Sequence, residues 1–327
     1  MTGSKASVPE KSTGHFMYPV SRKPAHSLAG VFSALITPFA ADGAVNLAAL
    51  APLAELELAQ GLQGFYVGGS TGEAFLQSPA ERSSMLAEFA RVVRGRAKLI
   101  AHIGAISTRE AVGMAQAAAD AGYDAVSAIP PFYYDFSPTE VLEHYRVLAE
   151  ATPLPLIVYN FPAKSARPLT TPDLLALLAH PKIIGVKHTS QNLYQLERLR
   201  VAAPDAVIYN GFDEMFVGGM AMGADGGIGT TFNVMGGLFV QMFAAVHAGN
   251  IVHAQALQAR ANDVIEVLID VGVFPGTKAM LELLGVDCGL CRPPFGALTP
   301  AQQARVEKIV HSHVAPLHAH HGTASTT

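Results

Sequence analysis

The sequence predicts an α/β chain folded as a (β/α)8 TIM barrel with a C-terminal helical extension. Eight short runs rich in β-branched residues recur along it, helix-start signals separate most of them, and no G-x-G-x-x-G follows the first run. The last observation favours a closed barrel over an open doubly wound sheet, whose first turn more often carries that glycine fingerprint.

The runs are "GVFSALITPF" (30–39), "GFYVGG" (64–69), "KLIAHIG" (98–104), "DAVSAIPP" (124–131), "LPLIVYN" (154–160), "IIGVKHT" (183–189), "AVIYNG" (206–211) and "GGIGTT" (226–231). Each is short and apolar almost throughout, as a parallel strand covered on both faces must be. Helices are predicted to open at Ser78-Pro79 with Glu81 following, at Ser107-Thr108-Arg109-Glu110, at Ser137-Pro138 and at Thr171-Pro172-Asp173. A small hydroxyl residue, then proline, then an acid is the pattern of a capped helix start.

Four further helical segments, about 235–249, 251–271, 275–285 and 300–314, follow the eighth run. That is more than the outer ring can take, so the barrel is assigned to 28–234, and 235–316 to its eighth helix and the extension. Residues 1–27 lack apolar periodicity and read as a disordered extension, and 317–327 as a disordered tail.

With 327 residues, half of them hydrophobic, the chain can bury a large core. A net charge of −4 with no basic stretch predicts no nucleic-acid partner. No apolar run approaches the roughly 18 residues of a membrane span, and no basic segment leads into a hydrophobic one at the N-terminus. A cytoplasmic protein is expected. Cys288 and Cys291 form a C-x-x-C, read as two reduced thiols because no strand precedes it and no second pair completes a zinc tetrahedron. His311, His313, His318, His320 and His321 crowd the C-terminus, but nothing there fixes ligand geometry, so no metal site is expected.

Chemistry in such a barrel gathers where the strands end. The second run ends in Gly68-Gly69-Ser70-Thr71-Gly72-Glu73, the fourth in Pro130-Pro131-Phe132-Tyr133-Tyr134, and the fifth in Tyr159-Asn160-Phe161-Pro162. The sixth offers Lys187-His188-Thr189-Ser190, the seventh Asn210-Gly211-Phe212-Asp213-Glu214, and the eighth Gly229-Thr230-Thr231. In the second, glycines allow close backbone approach and two hydroxyls add donors, which suits a small anion; a turn made only for packing stays open. Glu73 after Gly72 argues against a nucleotide phosphate. Lys187 stands in an apolar run, where burial would release a nucleophilic amine, unless it is a rim lysine paired with a carboxylate. Tyr159 ends the neighbouring strand and could pass a proton to a reacting group or simply pack on the rim.

Taken in order, "GGSTGE", "PPFYY", "VYNFPA", "GVKHTS", "YNGFDEMF" and "GADGGIGTTFNVMG" resemble the N-acetylneuraminate lyase branch of the pyruvate-dependent class I aldolases, the family shared with dihydrodipicolinate synthase. The resemblance runs from about residue 29 to 297. It implies a tetramer of barrels with no metal or cofactor, acting on sialic acid and pyruvate. In it Lys187 would form the Schiff base, Tyr159 would transfer the proton, and Ser70 and Thr71 would hold the substrate carboxylate. Tyr133 would reach a neighbouring subunit's site and join Ser70 and Tyr159 in a hydroxyl relay. Gly211, Asp213 and Glu214 would take the sugar hydroxyls, with Thr189, Gly229 and Thr230 as further contacts and Phe274 lining the same pocket. Cleavage would give pyruvate and N-acetylmannosamine.

Two departures are visible. Thr230 stands where several lyases have serine, and His188 where glutamine is common. "YNFPAKSARP" lacks the G-R-T pattern by which the synthases hold a second carboxylate. The competing readings are a 2-keto-3-deoxy sugar acid aldolase or dihydrodipicolinate synthase, and a non-catalytic regulator that binds sialic acid.

Overall fold

In the computed structural model, residues 27–165 and 167–318 are described. The readings for 1–26 and for 319–327, including His320 and His321, lie outside the described residues.

All eight runs are strands: β1 Gly30–Ala34, β2 Gly64–Val67, β3 Lys98–His102, β4 Ala125–Ala128, β5 Leu156–Asn160, β6 Ile183–His188, β7 Val207–Asn210 and β8 Gly226–Gly229. They pair in parallel in chain order, and β8 closes on β1. Successive residues face opposite sides of a strand. Phe32 of β1, Tyr66 of β2, Ile100 of β3 and Tyr159 of β5 therefore fill the lumen, while Val31, Phe65 and Val158 meet the helices outside. Leu28 is buried with the lumen residues, and its carbonyl accepts the Tyr209 hydroxyl.

The strands alternate with α1 Leu50–Leu58, α2 Pro79–Val93, α3 Thr108–Asp120, α4 Pro138–Ala151, α5 Thr171–Leu178, α6 Leu193–Ala202, α7 Phe216–Ala221 and α8 Phe232–His247. Ser78 and Ser137 close reciprocal capping boxes with Glu81 and Glu140, and Ser107 accepts from Glu110 N. At α5 the cap is Thr170, one residue before the predicted start. Its hydroxyl accepts from Asp173 N while the Asp173 carboxylate reaches back to Thr170 N, so Thr171 is already helical. The α8 segment opens at Phe232 rather than 235, because Met235 leaves helical geometry (φ −141, ψ 32) and hides the first turn from a periodicity reading.

The extension consists of α9 Ile251–Val271, α10 Val273–Leu283 and α11 Pro300–Ile309, the last running through a π turn (Val310–Val314) into a final helical turn, Ala315–His318. Leu317 and His318 were assigned to a disordered tail. They are helical because Val310 and Val314 are buried beneath them and His318 Nε2 donates to Val234 O at 2.7 Å. His311 and His313 lie on the π turn, His313 3.7 Å from Asp263. Cys288 and Cys291 are free thiols, both pushed up to about 12 by burial. No helix among the described residues is long and apolar enough to cross a membrane.

Glu57 of α1 is fully buried among the apolar residues outside the barrel, with only the Ser33 hydroxyl to favour its charge, and burial raises its carboxyl from 4.5 to about 8. The unfolded chain loses this proton above about pH 4.5 while the folded chain keeps it to about pH 8, so stability falls as pH rises across that window. Glu57→Gln should flatten that slope and gain about 3 kcal/mol near neutral pH. Chemical denaturation at pH 5 and pH 8 measures it, and equal slopes in the two proteins would refute the assignment.

Candidate active site

The C-terminal ends of the strands bring Lys187, Tyr159, Ser70, Thr71, Thr189, Gly211, Asp213, Gly229 and Thr230 to one end of the barrel. Register decides much of this: Tyr159 of β5 lies directly beside Lys187 of β6, and Tyr209 of β7 flanks it on the other side. With lumen-facing positions alternating along the strands, the lysine has no route to solvent through the wall.

Lys187 is 5% exposed, and its Nζ lies 4.2 Å from the ring centroids of both Tyr66 and Tyr159. Burial lowers the amine from 10.5 to about 7, with the charge of Asp213 pulling weakly the other way. Among the described residues no carboxylate forms an ion pair with it. The alternative of a rim lysine paired with a carboxylate therefore does not describe this side chain, whose burial favours the neutral amine.

Tyr159 is buried, and burial pushes its phenol up to about 12 against the pull of the Ser70 and Thr189 hydroxyls beside it. It thus stays protonated, with its oxygen among other hydroxyls. Thr189 Oγ1 makes no hydrogen bond of ordinary geometry and remains a buried acceptor and donor in reserve. A Cβ at Gly211 would collide with that same oxygen, so glycine at 211 is what lets Thr189 stand there.

Asp213 opens the 3-10 turn after β7. Its Oδ2 accepts from Thr231 N and Thr231 Oγ1, both at 2.8 Å, and burial raises it from 3.8 to about 6. A Cβ on Gly229 would strike its Oδ1, so Gly229 clears space for the carboxylate. Glu214 follows on the same turn, partly exposed, and its carbonyl accepts from Asn262 Nδ2 at 3.3 Å.

The loop after β2 is braced from behind. Thr37 Oγ1 and Gln77 Nε2 both donate to Gly72 O, at 2.7 and 2.6 Å. Glu73, at φ 54, is buried in an ion pair with Lys278 of α10 at 2.9 Å and accepts from Arg292 N at 2.8 Å. Glu73 therefore faces the extension, leaving Ser70 and Thr71 toward the barrel mouth. Thr71 Oγ1 meets Thr230 Oγ1 at 2.7 Å, joining the loops after β2 and β8.

Two expected members stand apart within this chain. Tyr133, at φ 77, is 79% exposed and its ring packs edge-on against Tyr134, outside its own site. Phe274, at the start of α10, packs on Phe295 and lines a separate cleft of about 420 Å³ with Pro275, Leu298 and Gln302, which none of the other site residues lines. His188 is a core residue: its Nδ1 accepts from Asn160 Nδ2 and its Nε2–H donates to Asn192 O.

Two site residues escaped the sequence reading. Tyr66 forms the second wall around the amine, and His102 of β3 packs against the rings of both Tyr66 and Tyr159, at 6.0 and 5.9 Å. Burial and the charge of Arg82 hold His102 well below its usual range, so it is neutral. Ile129 N approaches its Nε2, leaving Nδ1–H to donate to Gly68 O at 3.1 Å. The signal was the inward phase: Tyr66 and His102 share the lumen-facing alternation of their strands with Gly64 and Ile100.

Residues 27–313 match the dihydrodipicolinate synthetase family. The chain belongs to that family. It is 52% identical to N-acetylneuraminate lyase of Rhizobium meliloti over 283 residues, 86% of this chain and 94% of that one. It is 46% identical to the enzyme of that name from Escherichia coli K12, over 83% and 92% of the two chains. Among solved members, CdNal from Clostridium difficile in complex with mannosamine superposes with a TM-score of 0.86 at 34% identity, covering 88% of this chain and 99% of that one. N-acetylneuraminate lyase from Fusobacterium nucleatum complexed with pyruvate gives 0.85 at 33% identity, covering 89% and 98%.

Proposed function

We propose that the chain is a class I aldolase cleaving N-acetylneuraminate reversibly to pyruvate and N-acetylmannosamine through a Schiff base on Lys187. The single observation that carries this is an amine lowered to about 7 by burial and left without an ion pair, beside a protonated phenol, in a fold whose relatives bear that activity.

The neutral Lys187 amine adds to the C2 ketone and expels water, which turns the carbon into an electron sink. Ser70 and Thr71 hold the carboxylate with hydroxyls and backbone N–H groups. The Tyr159 hydroxyl relays the C4 hydroxyl proton, the C3–C4 bond breaks to an enamine, and protonation and hydrolysis release pyruvate. Asp213 and Glu214 accept sugar hydroxyls, with Thr189, Gly211, Gly229 and Thr230 shaping that side. A substrate without those hydroxyls would leave buried acceptors unpaired, at about 1–3 kcal/mol each.

The loop after β5 speaks against the synthase alternative: it lacks the G-R-T pattern, and its Arg167 lies 3.9 Å from Asp173 at the start of α5. Tyr133, exposed and turned out by its backbone, is assigned to a neighbouring subunit's site in a homotetramer. A cytoplasmic setting fits a substrate pair of small soluble acids and sugars.

Borohydride reduction in the presence of pyruvate should add one reduced pyruvyl group at Lys187, read by mass spectrometry of the digest. An unmodified Lys187 would falsify the aldolase and the regulator would become the better reading. Product analysis with N-acetylneuraminate, 2-keto-3-deoxygluconate and aspartate semialdehyde then separates the three aldolase substrates.

A further inference from the structure

The Lys187 amine has an aromatic face on each of two sides, and the two tyrosines present different things to it. The Tyr159 hydroxyl points among Ser70 and Thr189. The Tyr66 hydroxyl is turned away and donates to Ser127 Oγ at 3.1 Å, so only its ring face meets the amine, 4.2 Å from the centroid.

That ring is held from every direction. It is fully buried, lies edge-to-face with Tyr159 at 6.1 Å and contacts His102 at 6.0 Å. Above it runs the backbone of Gly69, where a Cβ would come within 2.7 Å of Tyr66 Cε1. Glycine at 69 therefore lets the loop carrying Ser70 lie directly on the ring.

We propose that the π face of Tyr66 stabilises the iminium cation that Lys187 forms with a 2-keto acid, which makes Tyr66 a catalytic residue of the reaction proposed above. The inference rests on the Schiff-base reading of Lys187. In that step the neutral amine lone pair bonds to the ketone carbon and one external proton is consumed. The carbonyl oxygen leaves as water with that proton and one from nitrogen, while the second N–H stays on the nitrogen as the proton of the iminium. Net, amine, ketone and one proton give iminium and water, so a neutral group becomes a cation inside a dry lumen. Such a cation loses its hydration, and an aromatic face is the group at hand that attracts it without needing a proton of its own.

The same face also favours the ammonium of the unreacted lysine. Its benefit to condensation is therefore largest above about pH 7, where the resting amine is neutral, and cancels below it. The titratable groups facing the amine are Asp213 from the turn after β7, Tyr159 from β5, Tyr66 from β2 and His102 from β3. Substitution at 66 leaves the other three in place.

The test uses the full-length protein, pyruvate and limiting borohydride, so that the initial trapping rate follows the iminium population. Tyr66→Phe keeps the face and should trap within about threefold of the parent, whereas Tyr66→Leu should fall roughly tenfold or more at pH 8 and recover toward the parent rate below pH 6. Because Tyr66→Leu removes a core ring, mono-, di- and trifluorinated phenylalanines at position 66 supply a series of nearly constant volume and falling ring electron density. Trapping should decline stepwise along it. A flat fluorine series, or a Tyr66→Leu variant that traps as fast as the parent at pH 8, overturns the role of the ring. Failure of the parent protein to trap at all is a different result, and overturns the Schiff-base reading together with this inference.

Discussion

Lys187→Met should abolish turnover, by at least about 10⁴-fold, while leaving the barrel folded. Methionine has nearly the same length and fits the slot between the Tyr66 and Tyr159 rings, but offers no lone pair that can become an iminium. Without the iminium, breaking C3–C4 would leave a carbanion with no electron sink, and among the described residues no other amine is buried beside Tyr159. Pyruvate trapping should disappear with turnover. The pH dependence of the parent follows from the same group. Its folded value of about 7 lies below 10.5, so condensation requires the deprotonated form and kcat/KM should rise with pH through about 7. Stability has the matching sign: between about pH 7 and 10.5 the unfolded chain holds a proton that the folded chain lacks, so the parent gains stability as pH rises through that window. Lys187→Met removes this linkage and should be the more stable protein below pH 7, by on the order of a few kcal/mol. Circular dichroism, chemical denaturation at pH 6 and pH 10, and single-turnover assays check these statements. A variant that still cleaves sialic acid would place the nucleophile elsewhere.

The parts of this molecule legible in the sequence are those whose cause is local. A parallel strand covered on both faces must be apolar throughout, which made all eight strands visible, and the capping chemistry of Ser78, Ser107 and Ser137 lies within four residues of each helix start. Thr170 and Thr171 offer the same hydroxyl one residue apart, and only the backbone decides which one caps. The first turn of α8 is broken by Met235, whose backbone is non-helical just ahead of Gly236-Gly237. Lys187 and Tyr159 could be paired because consecutive strands neighbour each other in a closed barrel. Tyr66 and His102 could not, because their strands are separated from β6 in sequence and their proximity is made across the lumen. Phe274 was placed with the sugar contacts by similarity of motif alone, since a lone aromatic reads as core, and its ring packs edge-on against Phe295.

Tyr159→Phe should lower kcat by about 10²- to 10⁴-fold while pyruvate trapping at Lys187 persists. The separation follows from what each atom does. Phenylalanine keeps the ring that lies 4.2 Å from the amine, so the dry surroundings that lower Lys187 are preserved and the iminium still forms. What is lost is the hydroxyl. With its value pushed up to about 12, this phenol cannot serve as a standing base at neutral pH; it acts by accepting the C4 hydroxyl proton while giving its own to an acceptor beside it. Ser70 and Thr189 are the hydroxyls placed to continue that transfer, and Thr189 Oγ1, with no hydrogen bond of ordinary geometry, has capacity left for it. Removing the phenol interrupts the relay at its first member, so scission slows and KM for sialic acid changes little. The measurement is kcat and KM for cleavage alongside the borohydride trapping rate. Unimpaired turnover would transfer the proton role to another group, whereas loss of both turnover and trapping would show that the hydroxyl, and not only the ring, sets the state of the amine.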